Sequence, residues 1–278
     1  MNDPGNIHNK HLRKSAEQIG VKVYAMATYY PGMIKVYLPN EPIKRLQPGW
    51  ESQKKTYHTK LDGKTSNETI LERSIRRSQK AVYDYAQSNR FSLFATFTIA
   101  KNRHNPQQSK VKIHNWLKNQ RKRTSKFPYI LVPEYHKDGA LHFHVLIGAY
   151  PGKLKESQNA KTGKLIMSHK KPVYEFPAFK SGFTKVQYVG DTVEDRQRVG
   201  GYIRKYITKE MISVFNQKRY WISQGLKKSP QEDNPKWYKK IKADDTYENE
   251  YGTLLTYRDL DNKLLPDYVR KLTELNNL

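Results

Sequence analysis

Two apolar segments joined by a short polar loop constrain the fold more than any other feature of the chain. They occupy residues 129–148, YILVPEYHKDGALHFHVLIG. The Lys137-Asp138-Gly139 loop has the length of a three-residue hairpin connection, in which the glycine supplies the left-handed residue of a bulge. The pattern therefore predicts two adjacent antiparallel strands, over residues 127–135 and 140–149.

The second of these strands carries two histidines among apolar residues. Side chains alternate along a strand, so His142 and His144 share one face while Phe143 lies on the other. Two imidazoles at this spacing have Cβ atoms roughly 7 Å apart, which suits joint binding of an ion. A pair of hydrogen-bonded core histidines is the structural alternative. The pairing of the two rings favours a ligand role.

The length of the loop predicts a third ligand. With a three-residue loop, Glu134 faces His142 and Val132 faces His144, so the carboxylate joins both histidines on one face. A four-residue loop would shift the register by one residue and turn Glu134 to the opposite face. His136 is a second candidate, at the end of the hairpin.

Two imidazoles and one carboxylate would make a site for a divalent ion with positions open to water or substrate. The ligand types do not choose between Mg²⁺, Mn²⁺ and Zn²⁺, and they do not exclude non-haem iron. The chain has no cysteine, which excludes disulfides and thiolate zinc sites.

The charge of the chain indicates a polyanionic partner. It has 51 Lys and Arg against 26 Asp and Glu, a formal net charge of +25. Nucleic acid and anionic membrane are the two candidates. No run of about 18 apolar residues occurs, and the start MNDPGNIHNKHLRK has no apolar core of a signal peptide. We therefore expect a soluble, intracellular protein that binds nucleic acid through a cation assisting phosphate chemistry.

Basic residues are concentrated in one window. No acidic residue occurs between Asp84 and Glu134. A predicted basic helix over residues 109–125 lies in this window, and either a solvated face or a surface that follows phosphates would explain it. The predicted nucleic-acid-binding residues are Lys110, Lys112, Arg121, Lys122 and Arg123.

A second constellation is GGYIRKYITKE, residues 200–210. We expect it within a helix from about Thr192 to Met211, started by a capping box of Asp191 and Glu194. One i, i+4 row should pack on the sheet; its members are Val199, Ile203, Ile207 and Met211. Gly200-Gly201 weakens a helix, a cost that is tolerable if the backbone approaches a neighbour closely there.

Tyr202 and Tyr206 form the adjacent row, each with a lysine three residues ahead, Lys205 and Lys209. Tyrosines at the edge of a core are common, which is the structural alternative. The functional interpretation is attack of a tyrosyl oxygen on a phosphodiester. A phenol has a pKa of about 10, and a nearby ammonium and a metal ion would both favour its ionised form.

The remaining pattern predicts an α+β fold, because helices and strands interleave and the central hairpin is antiparallel. The other predicted elements are a hairpin over 21–38 that turns at Pro31-Gly32, a helix over 67–88, strands over 91–100 and from Thr184, and a terminal helix.

These motifs resemble those of the HUH endonucleases. VPEYHKDGALHFHVLIG is similar to their second motif (His, hydrophobic residue, His), and FATFTI stands where their first motif is expected. YIRKYITK resembles the third motif in its doubled form, as in replication proteins of small single-stranded-DNA phages and related plasmids and prophages. The order of the motifs is that of rolling-circle replication initiators. The resemblance covers about residues 91–225.

The resemblance implies a central antiparallel β-sheet flanked by helices. It implies that Glu134, His142 and His144 hold Mg²⁺ or Mn²⁺, and that Tyr202 or Tyr206 is the nucleophile with help from Lys205 or Lys209. The expected activity is nicking and rejoining of single-stranded DNA at a replication origin, linear or folded as a hairpin. It leaves a 5′-phosphotyrosine link and a free 3′-OH for rolling-circle synthesis.

The expected setting is the cytoplasm of a bacterial host, which would supply helicase and polymerase, with no membrane partner. GKT at 63–65 lacks the preceding glycine of a phosphate-binding loop, since His58 stands there. The predicted organisation is an N-terminal extension over 1–90, the endonuclease core over 91–225, and a C-terminal extension over 226–278. The alternatives are an HUH-type transposase, which would usually have one tyrosine, and a non-catalytic nucleic-acid-binding regulator with structural histidines.

Overall fold

The computed structural model describes residues 20–46, 67–136, 138–208 and 218–274. The chain forms two compact units. The motif unit, Lys64–Ser229, contains both constellations, and the flanking unit combines Met1–Gly63 with Pro230–Leu278. GKT at 63–65 lies outside the described residues, as do Lys137, Lys209 and Met211.

Sixteen strands and four α-helices are described. The strands are β1 (Gly20–Val23), β2 (Met26–Tyr30), β3 (Met33–Pro39), β4 (Ile43–Leu46), β5 (Leu93–Ile99), β6 (Tyr129–Tyr135), β7 (Leu141–Ile147), β8 (Lys155–Glu156), β9 (Met167–Ser168), β10 (Lys171–Pro172), β11 (Tyr174–Glu175), β12 (Gly182–Tyr188), β13 (Trp221–Ile222), β14 (Gln231–Asp233), β15 (Asp245–Asn249) and β16 (Gly252–Tyr257). The α-helices are α1 (Asn67–Ser88), α2 (Pro106–Arg123), α3 (Val193–Ile203) and α4 (Asp267–Glu274).

The motif unit is built on a seven-stranded sheet in the order β13-β6-β7-β5-β12-β11-β8. Each adjacent pair of its strands is antiparallel. Helices and a large antiparallel sheet together confirm the predicted α+β class. α1, which lies within the predicted N-terminal extension, belongs to the motif unit.

The two faces of this sheet have different partners. On one face, here called the α2 face, β5 places Leu93, Ala95 and Phe97 in a core with α2 residues such as Ile113 and Leu117. The opposite face, here called the histidine face, carries the alternate residues of the same strands. Part of the histidine face is covered by a second core that α1 and α3 share with the sheet; its members include Val82, Ala86, Ile130, Val132, Leu146, Val199, Ile203 and Ile207.

α3 begins where the sequence predicts, but its cap differs. Thr192 is the N-cap, and its side chain accepts a hydrogen bond from the Asp195 N–H. The predicted capping box of Asp191 and Glu194 is therefore wrong by one residue. Asp191 instead accepts a hydrogen bond from Arg196, at 3.2 Å.

α3 ends earlier than the predicted residue Met211. The helix stops at Ile203, and a 3₁₀ turn covers Arg204–Tyr206. Ile207 then adopts extended backbone with φ −83° and ψ 98°. The Gln79 side chain donates to the Ile207 carbonyl oxygen at 3.0 Å, so a group of α1 satisfies an acceptor that a continued helix would have satisfied itself.

Close packing of α1 against α3 explains one of the paired glycines. A Cβ at Gly200 would lie 2.7 Å from the Gln87 amide nitrogen and 3.2 Å from the Ala86 Cβ. A Cβ at Gly201 would meet nothing within 4 Å. The predicted close approach is thus confirmed at Gly200 and is wrong at Gly201.

The flanking unit contains a five-stranded sheet in the order β14-β2-β3-β16-β15. Its central hairpin turns at Pro31-Gly32 as predicted, and Gly32 has φ +68°. The first part of the predicted hairpin instead forms β1, which pairs with β4. In its core the Trp237 indole donates to the Tyr29 hydroxyl at 3.2 Å, and burial raises the pKa of Tyr257 to about 12. None of the described helices is long and apolar enough to span a membrane.

Candidate active site

The hairpin of β6 and β7 has the predicted register. Glu134 pairs with His142, and Val132 pairs with His144. The loop is closed by His136, whose N–H donates to the Ala140 carbonyl at 2.8 Å. Gly139 adopts the predicted left-handed conformation, with φ +79°.

Asp138 holds the tip of this hairpin. Its carboxylate accepts a hydrogen bond from the Ala140 N–H at 3.0 Å and forms an ion pair with Arg103 at 2.9 Å. These interactions, the Ala140 hydrogen bond first, hold the pKa of Asp138 below its ordinary value. The local contacts therefore stabilise the loop length that brings Glu134 onto the histidine face.

His144 is held at both ring nitrogens. Its Nε2 lies 2.7 Å from the Glu134 carboxylate, and its Nδ1 lies 3.2 Å from the Thr96 hydroxyl. The ring is only 4% exposed. A carboxylate only accepts hydrogen bonds, so Nε2 carries the proton in this arrangement, while the Thr96 hydroxyl can donate to or accept from Nδ1.

His142 lies at the more open end of the same face. Its ring stacks on that of His136, with centroids 4.7 Å apart. Burial, reinforced by His136 and His144, lowers the pKa of His142. A lowered pKa favours the neutral imidazole, which is the form that binds metals.

The tyrosine motif lies directly against the histidine motif. The Tyr206 ring stacks on His144, with centroids 3.5 Å apart and an interplanar angle of 10°. Tyr202 meets Tyr206 edge-on at 5.3 Å and also contacts Phe94 at 5.3 Å. Two segments about 60 residues apart in the sequence, as counted from His144 and Tyr202, therefore form one aromatic cluster.

The two tyrosines have different surroundings. Burial, with a smaller effect of the hydrogen bond to Tyr202, raises the pKa of Tyr206. This direction is opposite to the one that the sequence predicts for a nucleophile. Tyr202 is 47% exposed, so it is the tyrosine that solvent reaches more readily.

Lys205 is exposed and lines a cavity of about 430 Å³ together with residues of α1, among them Glu72 and Gln79. The predicted role of Lys209 concerns a residue outside the described part of the chain. The assistance of either lysine to a tyrosine stays a prediction.

The donor types of the predicted metal site fit a divalent ion. Glu134, His142 and His144 lie on one face in adjacent strands, and they offer two imidazole nitrogens and a carboxylate. Within the part of the chain that the structure describes, no three His, Cys, Asp or Glu side chains are already grouped as ligands. The reason is local, since Glu134 and His144 hydrogen-bond to each other.

The predicted nucleic-acid-binding helix packs on the opposite face of the sheet. α2 contributes to the core of the α2 face through Trp116 and Leu117. Its basic residues have varied surroundings: Lys110 lies over the Trp221 ring, Lys112 donates to the Lys101 carbonyl, Arg121 lies over the Tyr129 ring, and Lys122 and Arg123 are exposed. Their contact with nucleic acid stays a prediction.

The sequence reasoning did not assign roles to Phe94 and Thr96, although both lie in the segment FATFTI. Phe94 contacts the rings of His144 and Tyr202, and Thr96 holds His144. Strict alternation along β5 would have placed both on the face opposite Ala95 and Phe97. The pairing of β5 with β7 was needed to show that this face is the histidine face.

A comparison with protein families agrees with this arrangement. Residues 92–211 match the family model of the replication-associated protein ORF2. The match supports a replication initiator. The matched segment includes Glu134, both histidines and both tyrosines. Searches of curated proteins and of solved structures gave no significant match.

Proposed function

We propose that the chain is a rolling-circle replication initiator of the HUH endonuclease type, which nicks and rejoins single-stranded DNA through a tyrosine. The observation that carries the proposal is the stacking of Tyr206 on His144 at 3.5 Å. It joins the two constellations that the chemistry requires, a nucleophile and a set of metal donors, in one site.

In this proposal Glu134, His142 and His144 hold a divalent ion, Mg²⁺ or Mn²⁺. Such an ion, when bound, polarises a phosphoryl oxygen and stabilises the charge that develops on it. Thr96 orients the His144 ring through Nδ1, in the way that neighbouring groups orient metal-binding histidines.

Tyr202 attacks first in this proposal, because its ring is 47% exposed and a DNA strand can reach it. Its phenolic oxygen forms a bond to the scissile phosphorus and loses its proton. The bond from phosphorus to the 3′ oxygen breaks, and that oxygen takes up a proton to become the free 3′-OH. The 5′ phosphate stays on the tyrosine, so the reverse reaction reseals the strand without ATP.

Tyr206 then serves as the second nucleophile of the pair. Its raised pKa keeps it neutral in the protein alone, so it does not compete with Tyr202 for the first phosphodiester. Lys205 is exposed on the same segment and contributes positive charge near the phosphate.

The test is the formation of a covalent adduct. Single-stranded oligonucleotides labelled at the 3′ end, tiled across the DNA that surrounds the gene, are incubated with the protein and Mg²⁺ or Mn²⁺. We expect one sequence to leave its label on the protein in a denaturing gel. Tyr202→Phe should reduce this adduct, and the double variant Tyr202→Phe/Tyr206→Phe should abolish it.

Tyr188→Phe is the matched control, because Tyr188 is an exposed tyrosine that points to the α2 face. It should form the adduct as the unaltered protein does. An adduct that persists in the double variant would exclude the tyrosine mechanism.

A non-catalytic nucleic-acid-binding regulator is the second candidate. The hydrogen bonds that hold His144 at both nitrogens are also those expected of a structural histidine. This candidate predicts DNA binding that is unchanged by metal chelation and no adduct with any oligonucleotide.

A further inference from the structure

The histidine face continues beyond the candidate active site, across β5 and onto β12. Thr98 of β5 pairs with His142 on one side and with Phe183 of β12 on the other. In the next row Thr96 pairs with His144 and with Lys185. Phe183 and Lys185 therefore point to the same side of the sheet as the histidines, about 10 Å from them at two interstrand spacings.

Phe183 is the most open side chain of this face. It is 73% exposed, although it lies on a strand with a neighbour on each side in the sheet. Single exposed apolar residues are common on protein surfaces, so exposure alone carries no argument. The position of Phe183 in the row of His142, with a lysine two residues away, is what gives the exposure a meaning.

A short hairpin stands on the same face beside β12. The Lys185 ammonium donates to the Ser168 hydroxyl at 3.2 Å, and the Gln187 amide donates to the Ser168 carbonyl at 3.4 Å. Ser168 ends β9, which pairs with β10 through a two-residue turn. The turn residues His169 and Lys170 are exposed, with φ +52° and +60°.

This part of the motif unit is strongly basic. Residues 157–188 contain a single carboxylate, Glu175, against six lysines, which are Lys161, Lys164, Lys170, Lys171, Lys180 and Lys185. An open aromatic ring beside lysines is the combination that binds single-stranded nucleic acid, in which the ring stacks a base and the ammonium groups contact phosphates.

We propose that Phe183 is a base-stacking position for single-stranded nucleic acid, with Lys185 contacting the adjacent phosphate and the β9–β10 hairpin bordering the strand. The inference rests on the proposed function, because it extends the path of the DNA from Tyr202 across the open part of the histidine face. It assigns substrate binding to β12, outside the catalytic residues.

The test uses the full chain, a fluorescein-labelled 20-nucleotide oligo(dT), and EDTA, so that cleavage cannot contribute. Fluorescence anisotropy should show that Phe183→Ala weakens binding about 5- to 100-fold, the loss expected for one stacked base. Phe183→Tyr should bind as the unaltered protein does, because it keeps the ring, whereas Phe183→Leu should resemble Phe183→Ala.

Tyr188→Ala is the matched control. Tyr188 is an aromatic residue of the same strand that is 56% exposed, and it points to the α2 face. Its removal should leave oligo(dT) affinity unchanged. A blunt 20-base-pair dT·dA duplex should bind the unaltered protein and Phe183→Ala equally, because paired bases cannot stack on the ring. Circular dichroism checks that each variant is folded.

Photocrosslinking gives an independent readout. Oligo(dT) with 5-iodouracil at single positions should crosslink to Phe183, as identified by mass spectrometry of the peptide. Equal affinity of Phe183→Ala and the unaltered protein, or a lack of oligo(dT) binding by the unaltered protein, would overturn the inference.

The outcomes separate this inference from the proposed function. If the tyrosine adduct forms and Phe183→Ala binds oligo(dT) normally, only the stacking position is wrong. If no adduct forms with any oligonucleotide and Phe183→Ala still weakens binding, the nuclease proposal is wrong and the stacking position stands.

Discussion

The carboxylate of Glu134 and the Nε2 of His144 lie 2.7 Å apart, across two antiparallel strands. Each therefore satisfies the other in the protein alone. A divalent ion that used both groups would replace the proton between them, so binding of the ion should release a proton and weaken as the pH falls.

Glu134→Gln should keep a hydrogen bond to His144 but lose the negative charge that a metal ion requires. We expect adduct formation to fall about 100-fold or more, since a bound ion supplies several kcal/mol of transition-state stabilisation. The measurement is the rate of adduct formation at saturating Mn²⁺. Glu175→Gln removes a carboxylate from the same sheet and should leave the rate unchanged; equal rates for both variants would contradict the ligand role of Glu134.

Thr96→Val should weaken metal binding without removing a ligand. The variant keeps the β-branched shape but loses the hydroxyl that lies 3.2 Å from His144 Nδ1, and loss of such an orienting group costs about 10- to 100-fold in affinity. Isothermal titration with Mn²⁺ measures the change. Thr98→Val is the control on the same face of β5, opposite His142, and an equal loss there would argue against a specific role for Thr96.

The two adjacent glycines of α3 should respond oppositely to alanine. Gly200→Ala would place a methyl group against Ala86 and Gln87 and should lower the free energy of unfolding by about 1–3 kcal/mol. Gly201→Ala has open space and should raise it by up to about 1 kcal/mol through helix propensity. Urea denaturation measures both. A shift in the same direction for the pair would contradict the described packing of α1 and α3.

Removal of the Gln79 side chain should act on the tyrosine motif from a distance. Gln79→Ala leaves the Ile207 carbonyl without its 3.0 Å hydrogen bond and should cost about 1 kcal/mol of stability. Because Ile207 follows Tyr206 directly, adduct formation should also slow. Lys80→Ala, one residue along α1 and solvent-exposed, is the control for helix effects, and it should change neither quantity.

His114 should make the fold less stable in mild acid. Burial, followed by the charges of Lys110 and Lys218, lowers the pKa of His114 in the folded protein. The unfolded chain then binds more protons below pH about 6.5, so the free energy of unfolding falls as the pH drops through that value. His142, whose pKa is also lowered, contributes in the same direction.

His114→Gln should therefore flatten the dependence of stability on pH between about 7 and 5, as measured by urea denaturation at several pH values. His169→Gln changes an exposed histidine in a turn and should leave the slope unchanged. An equally steep slope in His114→Gln would show that other groups cause the acid sensitivity.

Local signals were enough to predict the register of the hairpin and the buried row of α3. The loop around Gly139 fixes which residue faces His142, and both depend only on neighbours in the sequence. The spacing of Val199, Ile203 and Ile207 likewise sufficed to predict burial.

Features that depend on distant segments could not be predicted. The end of α3 depends on Gln79, which is 128 residues away from Ile207 in the sequence. The face on which α2 packs depends on the core residues of five different elements of the sheet. Thr96 and Phe183 acquired a place near the histidines only once the order β7-β5-β12 was known.

The flanking unit has a consequence for how the chain is made. Its β2–β3 hairpin lies between β14 and β16 in the sheet, and both of those strands follow Ser229. On a ribosome, the hairpin is synthesised long before either neighbour, and an isolated two-stranded hairpin is marginally stable in water. The motif unit, which is one continuous segment, can complete its fold while the earlier residues still wait for their partners.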